Sequence, residues 1–143
     1  MQAIKTVYKR HKFRSRREAR WAVVLDTLGI KWEYEAEGYA FDDGTCYLPD
    51  FLCRDLLLWV EVKPTLDIFI GITEETPALH KARLLAVNSL CPVAIVGEIE
   101  DRVYYCCPNS RDTGFWPNFF AEYWGTALVD EALRRGKQAR FER

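Results

Sequence analysis

The chain has 143 residues, 49% of them apolar and 14% aromatic including five Trp, a size and apolar share suited to one folded core and not to a disordered polymer. No apolar stretch approaches the roughly 20 residues needed to span a bilayer, and no apolar segment follows the N-terminus as in a secretory signal, so a cytoplasmic protein with no membrane partner is expected. Net charge is −1, but it is unevenly spread. Residues 1–20 hold eight bases against Glu18 alone, whereas residues 33–101 hold fourteen acids against four bases. A basic arm joined to an acidic body suits a protein that grips phosphates and holds a metal. The five Cys lack the paired C-x-x-C spacing of a zinc site and are read as buried or half-buried thiols.

In chain order, residues 1–14 form the basic arm. Ser15-x-x-Glu18 has the form of a capping box, and Ala19, Ala22, Val23 and Leu28 recur at helical spacing, which predicts a helix over 16–28 stopped by Gly29. Ile30, Trp32 and Tyr34 alternate with charged residues as in a half-buried strand. Asp42-Asp43-Gly44 separates residues 39–41 from 45–48 as a hairpin turn. Residues 56–63 form a nearly continuous apolar run ended by Pro64, which reads as a central strand covered on both faces. Residues 67–73 are a polar link in which Ile68-Phe69-Ile70 is either a short strand or a helical turn. A second helix is expected over 74–90, strands over 92–97 and 102–107, a loop over 109–114, and a C-terminal helix over 118–135 within a helical extension spanning 115–143. The order of these elements predicts one α/β domain over 1–143, with a central sheet flanked by helices.

The chemistry concentrates at Pro49-Asp50 and at Glu61-Val62-Lys63. Residues two apart on a strand share a face, so Glu61 and Lys63 project together. Two acids and a lysine converging in a core are costly unless a cation offsets the repulsion. Asp50 and Glu61 suit Mg²⁺, a hard ion that takes oxygen ligands, with Mn²⁺ as a substitute and the Val62 carbonyl as a further donor. Lys63 is placed to orient or help deprotonate a water, or to neutralise developing charge.

The segments Phe13-Arg14-Ser15-Arg16-Arg17-Glu18-Ala19-Arg20-Trp21-Ala22, Trp32-Glu33-Tyr34-Glu35, Tyr47-Leu48-Pro49-Asp50-Phe51 and Trp59-Val60-Glu61-Val62-Lys63-Pro64 follow one another in an order that resembles small PD-(D/E)xK nuclease-like proteins of phages and mobile elements. The resemblance covers most of residues 13–97 and fades beyond. It implies a restriction-endonuclease-like core with a central mixed β-sheet flanked by helices, and a Mg²⁺-dependent endonuclease acting on DNA. Its catalytic set is Glu18, Asp50, Glu61 and Lys63, with Glu18 as the first-helix acid at the metal. The competing role for Glu18 is capping partner of Ser15. Glu35 is expected to support the metal ligands from behind, or else to be the solvent-facing acid of an alternating strand. Arg14, Arg16, Arg20 and Lys81 are the candidate phosphate contacts. A homodimer is left open, because cutting both strands of a duplex commonly takes two active sites. The alternative is a nucleic-acid-binding or protein-interaction module that keeps the fold without cleaving.

Overall fold

The computed structural model of the protein describes residues 4–64, 76–109 and 112–141. The expected polar link at 67–73, with Ile68-Phe69-Ile70, lies outside them. The remainder is a mixed α/β fold built on a six-stranded sheet. Its strands are β3 (Glu33–Tyr34), β6 (Phe51–Cys53), β7 (Leu58–Val62), β8 (Val93–Val96), β9 (Arg102–Cys106) and β10 (Gly114–Pro117), in spatial order β10-β9-β8-β7-β6-β3. All neighbouring pairs are antiparallel except β7 and β8, which run parallel with Glu61 beside Ile95. Among the described residues two separate hairpins complete the β structure: β1 (Thr6–Tyr8) with β2 (His11–Phe13), and β4 (Tyr39–Ala40) with β5 (Cys46–Tyr47).

Helices cover both faces of the sheet. Helices α1 (Arg16–Thr27) and α4 (Thr126–Gln138) pack on one side, where Trp21, Val24, Leu25, Val129 and Ala132 meet Val60, Val62, Ala94 and Val96. Helix α2 (Pro77–Ser89) covers the other, with Leu79, Ala82, Leu85 and Ala86 against Leu52, Trp59, Val93 and Ile95. The assignment to two faces follows the period of a strand, since Val60 and Val62 point one way and Trp59 and Glu61 the other. Every residue of β7 is buried, as its continuous apolar run requires of a strand covered on both sides.

Local chemistry explains most element ends. The Ser15 side chain accepts the Glu18 N–H at the start of α1, and Gly29 takes a φ of 75° just beyond its end. Thr76 caps α2, accepting the Leu79 N–H, with Pro77 in the first turn.

Several elements differ from the sequence-based expectation. The apolar run at 56–63 is interrupted, because residues Arg54–Leu56 form a 3-10 turn closed by Leu57 in the left-handed region, and the strand begins only at Leu58. The single C-terminal helix is two: Gly125, at φ 84°, separates α3 (Phe119–Trp124) from α4. The expected helical extension from 115 opens instead with edge strand β10, paired to β9 with Phe115 beside Tyr104. Of the alternating segment at 30–35 only Glu33–Tyr34 pairs in the sheet. Residues 6–13 of the basic arm form a hairpin. Cys46 is exposed, unlike the other four thiols, and all five cysteines are free.

One glycine carries the contact between α1 and α4. Gly136 is buried in the last turn of α4, where glycine still costs up to about 1 kcal/mol relative to alanine. A Cβ there would stand 2.6 Å from Val24 Cγ2 and 3.1 Å from the Arg20 carbonyl. Gly136→Ala is therefore expected to destabilise the protein by about 1–3 kcal/mol in chemical denaturation, overpacking outweighing the gain in helix propensity.

Candidate functional site

Residues 49–50 and 61–63 meet where β6 begins and β7 ends. The ladder pairs Phe51 with Val60, so one step outward Asp50 stands across from Glu61, and two steps outward Pro49 would oppose Val62. The Trp59 and Lys63 amides donate to the Pro92 and Val96 carbonyls, toward β8, so the intervening even-numbered peptide groups face β6. Pro49 has no N–H to give the Val62 carbonyl. The Val62 N–H goes to Asp50 Oδ2 at 2.8 Å. The Pro-Asp pair thus ends the ladder, draws a carboxylate into the gap, and leaves the Val62 carbonyl without a ladder donor.

Both acids are buried, Asp50 at 8% exposure and Glu61 at 2%. Burial, then the nearby charge of Glu18, pushes the Asp50 carboxyl up to about 7, against the lowering pull of the Val62 N–H and Lys63. Burial likewise pushes Glu61 up to about 7, against the pull of Lys63 and a backbone hydrogen bond from Asp50. Glu61 Oε2 is buried with no hydrogen-bond partner. Such an orphan acceptor is costly and calls for a ligand or a proton.

Glu18 stands beside this pair at the start of α1. Only half of the capping box forms, since Ser15 Oγ takes the Glu18 N–H while the Glu18 carboxylate turns to the Tyr34 hydroxyl and the Arg14 N–H. Burial raises the Glu18 carboxyl, with the Tyr34 and Arg14 hydrogen bonds opposing. Burial and the Glu18 hydrogen bond raise the Tyr34 phenol as well.

Glu35 joins the same cluster. Its N–H donates to the Asp50 carbonyl at 2.8 Å, and Arg14 Nε lies 2.7 Å from its Oε1 as an ion pair without hydrogen-bond alignment. Its φ of 50° is a left-handed conformation uncommon for a side chain of this size. This backbone strain sits next to the acids.

A cleft of about 850 Å³ adjoins the group at Glu18, Val62 and Lys63; its charged lining is Arg14, Arg16, Arg17, Arg20, Lys63 and Lys137 with the acids Glu18, Glu98 and Glu100, while Asp50 and Glu61 lie buried behind it. Of the phosphate-contact candidates, Arg14, Arg16 and Arg20 thus line the cleft. Lys81 does not: it lies half-buried on α2 and is not part of that lining. Sequence reasoning also missed Lys137, brought in from α4, and Tyr34, whose place in an apolar alternation gave no sign of its hydroxyl's role.

A divalent cation sets its own demands on such a cluster. Among the described residues no group of three or more His, Cys, Asp or Glu side chains is arranged to hold a metal ion. Asp50 and Glu61 offer two carboxylates, one with an orphaned oxygen, beside the Val62 carbonyl. That is an all-oxygen set suited to Mg²⁺ or Mn²⁺, whose remaining positions are commonly filled by water and substrate phosphate. Glu18 Oε1 is already engaged by Tyr34 and Arg14, which sets Glu18 at the rim of that set.

Tyr34→Phe is expected to leave the ring in place against Phe13 and Phe51 and to release Glu18. A loss of about 10- to 100-fold in metal affinity or metal-dependent activity, with the melting temperature nearly unchanged, is the expected outcome of removing such a supporting hydrogen bond. Thermal melting and metal titration of the variant check it.

No protein-family model matches the chain, and neither a curated protein nor a solved structure matches it.

Proposed function

We propose that the protein is a Mg²⁺-dependent nuclease of the PD-(D/E)xK type acting on DNA, with its sheet and helices forming a restriction-endonuclease-like core. The observation that carries this reading is the buried pair Asp50 and Glu61 where β6 begins and β7 ends, with an orphaned Glu61 oxygen, next to Lys63, which lines a cleft with Arg14, Arg16, Arg17 and Arg20. A fold without such chemistry has no stability reason to bury two carboxylates this way.

Asp50, Glu61 and the Val62 carbonyl would hold the cation, with Glu18 at the rim. Bound there, a divalent cation would supply charge stabilisation at a phosphoryl oxygen and a water made nucleophilic near neutral pH. The charge of Lys63 favours the ionised forms of the same carboxylates, and Lys63 would orient the attacking water or offset the charge that develops on the phosphate. Arg14, Arg16 and Arg20 would fix the phosphodiester in the cleft, and Glu35 would hold the Asp50 backbone and the Arg14 side chain in place. Among the described residues no helix is long and apolar enough to cross a membrane.

The test is incubation of the purified protein with single-stranded, duplex and branched DNA in Mg²⁺, Mn²⁺ or EDTA. Cleavage that requires the metal supports the reading. Tight binding without cleavage in any metal would replace it with a non-catalytic nucleic-acid-binding module.

A further inference from the structure

We infer that the β1–β2 hairpin is a groove-binding ribbon that selects duplex DNA by lying in its major groove. The inference rests on the nuclease reading for the identity of the polymer and names its form. In the ribbon Thr6 pairs with Phe13, Val7 with Lys12 and Tyr8 with His11. Side chains alternate between faces. Thr6, Tyr8, His11 and Phe13 face inward: Thr6 and Phe13 are buried, Tyr8 donates to Asp26 on α1, and His11 packs against Trp32. The outer face carries Lys5, Val7, Lys9, Arg10, Lys12 and Arg14, all exposed. Five of those six are cations, and no acid occurs between residues 5 and 14. Lys9 pairs with Asp26 and Arg14 with Glu35, while among the described residues Arg10 and Lys12 have no ion-pair partner.

The turn adds a second observation. Tyr8 and His11 are joined by Lys9 and Arg10, both at positive φ, 47° and 68°. This tight turn favours Asn-Gly, because long side chains are strained there. Two basic residues are held at the tip against backbone preference, as at sites where strain serves function. The ribbon's other end runs into the cleft, where Ile4 and Arg14 are part of the lining, so a polymer on the ribbon would continue to Lys63.

Dimensions and chemistry choose the partner. The hairpin is a two-stranded ribbon with one face free, the cross-section that the B-form major groove admits. The deep, narrow major groove of duplex RNA does not. Single strands are gripped mainly by rows of exposed aromatic platforms, whereas on the ribbon Phe13 is buried, Tyr8 is half-buried and bonded to Asp26, and the exposed His11 already packs against Trp32.

Binding is measured by fluorescence anisotropy in EDTA, which keeps cleavage out of the readout. The probes are duplex DNA, its separate strand and duplex RNA, over a salt series, with the wild-type protein, Lys12→Ala and Arg10→Gly. Each variant is expected to lose about tenfold in affinity for duplex DNA and to lower the salt slope by about one, with single-strand affinity changed less than about twofold. Arg10→Gly is also expected to raise the melting temperature, since glycine relieves the turn while removing the contact, which separates lost binding from lost folding. Methylation of guanine N7 in the duplex is expected to weaken wild-type binding. Failure of the wild-type protein to bind duplex DNA, equal losses on single strand and duplex, equal affinity for duplex RNA, or indifference to N7 methylation would each overturn the inference. None of these outcomes bears on Asp50 and Glu61, whose reading stands or falls on cleavage.

Discussion

Lys63→Ala is expected to lower metal-dependent cleavage by roughly 10²–10⁴-fold, the range ordinarily lost with a positioned proton-transfer or charge-stabilising group. Lys63 lines the cleft and its charge stabilises the ionised forms of Asp50 and Glu61. Its removal takes away the one cation that acts on both carboxylates, leaving Arg14 near Glu61, so metal binding is expected to survive while turnover does not. Asp50→Asn is expected to lose at least as much activity and to weaken metal binding as well. The amide introduced by that substitution can still accept the Val62 N–H, but it brings no charge to a hard cation. Cleavage rates at saturating Mg²⁺, set beside a metal titration of each variant, separate the two effects. Equal rates for Lys63→Ala and the parent protein would remove Lys63 from the mechanism.

The second large effect concerns stability. Both buried carboxyls titrate near 7 in the folded protein, above their ordinary values of 3.8 and 4.5. Between about pH 4 and pH 7 the native state therefore binds more protons than the unfolded chain, so unfolding free energy falls as pH rises through this window. The stabilisation is complete below the unfolded-state values and lost above 7. Each group contributes a change on the order of 3 kcal/mol, and the metal-free protein is expected to melt lower at pH 8 than at pH 5. Glu61→Gln is expected to melt higher than the parent at pH 8 in EDTA and to flatten the dependence, because a neutral amide has no ionised form to desolvate. Below pH 4 other carboxyls reverse the trend, among them Asp43, held down to about 2 by His80 and Thr45. Thermal melts in EDTA from pH 5 to 8 check this, and a stability that rises with pH over that range would contradict the burial of ionisable carboxyls.

The site was legible in the sequence where local chemistry leaves a mark. Pro49-Asp50 and Glu61-x-Lys63 stand out because charges interrupt an apolar run, and the period of a strand alone places Glu61 with Lys63. The start of α1 was readable from Ser15 and its end from Gly29. The ribbon was not, because Lys9 and Arg10 occupy a turn whose usual signature is Asn-Gly. Leu57 hid the start of β7 in the same way: an apolar residue at φ 50° looks like strand until the backbone is seen. The split between α3 and α4 rests on one glycine in a pattern otherwise helical throughout. Tyr34 and Lys137 reach the site through tertiary packing, one from a neighbouring strand and one from a helix more than seventy residues beyond Lys63 in the chain. Spacing holds no record of such contacts. Lys81 shows the converse, since a basic residue on an amphipathic helix gives no indication of which cleft it will line.

The most direct measurement is calorimetric titration of Mg²⁺ into the metal-free protein at pH 7, in two buffers of different ionisation enthalpy, with Asp50→Asn and Glu61→Gln alongside. Carboxyls that titrate near 7 must release protons when a cation takes their place. Binding accompanied by proton release in the wild-type protein, and lost in both variants, is the expected result. An absence of Mg²⁺ binding in the wild-type protein, or binding that persists unchanged in both variants, would contradict a metal site at Asp50 and Glu61.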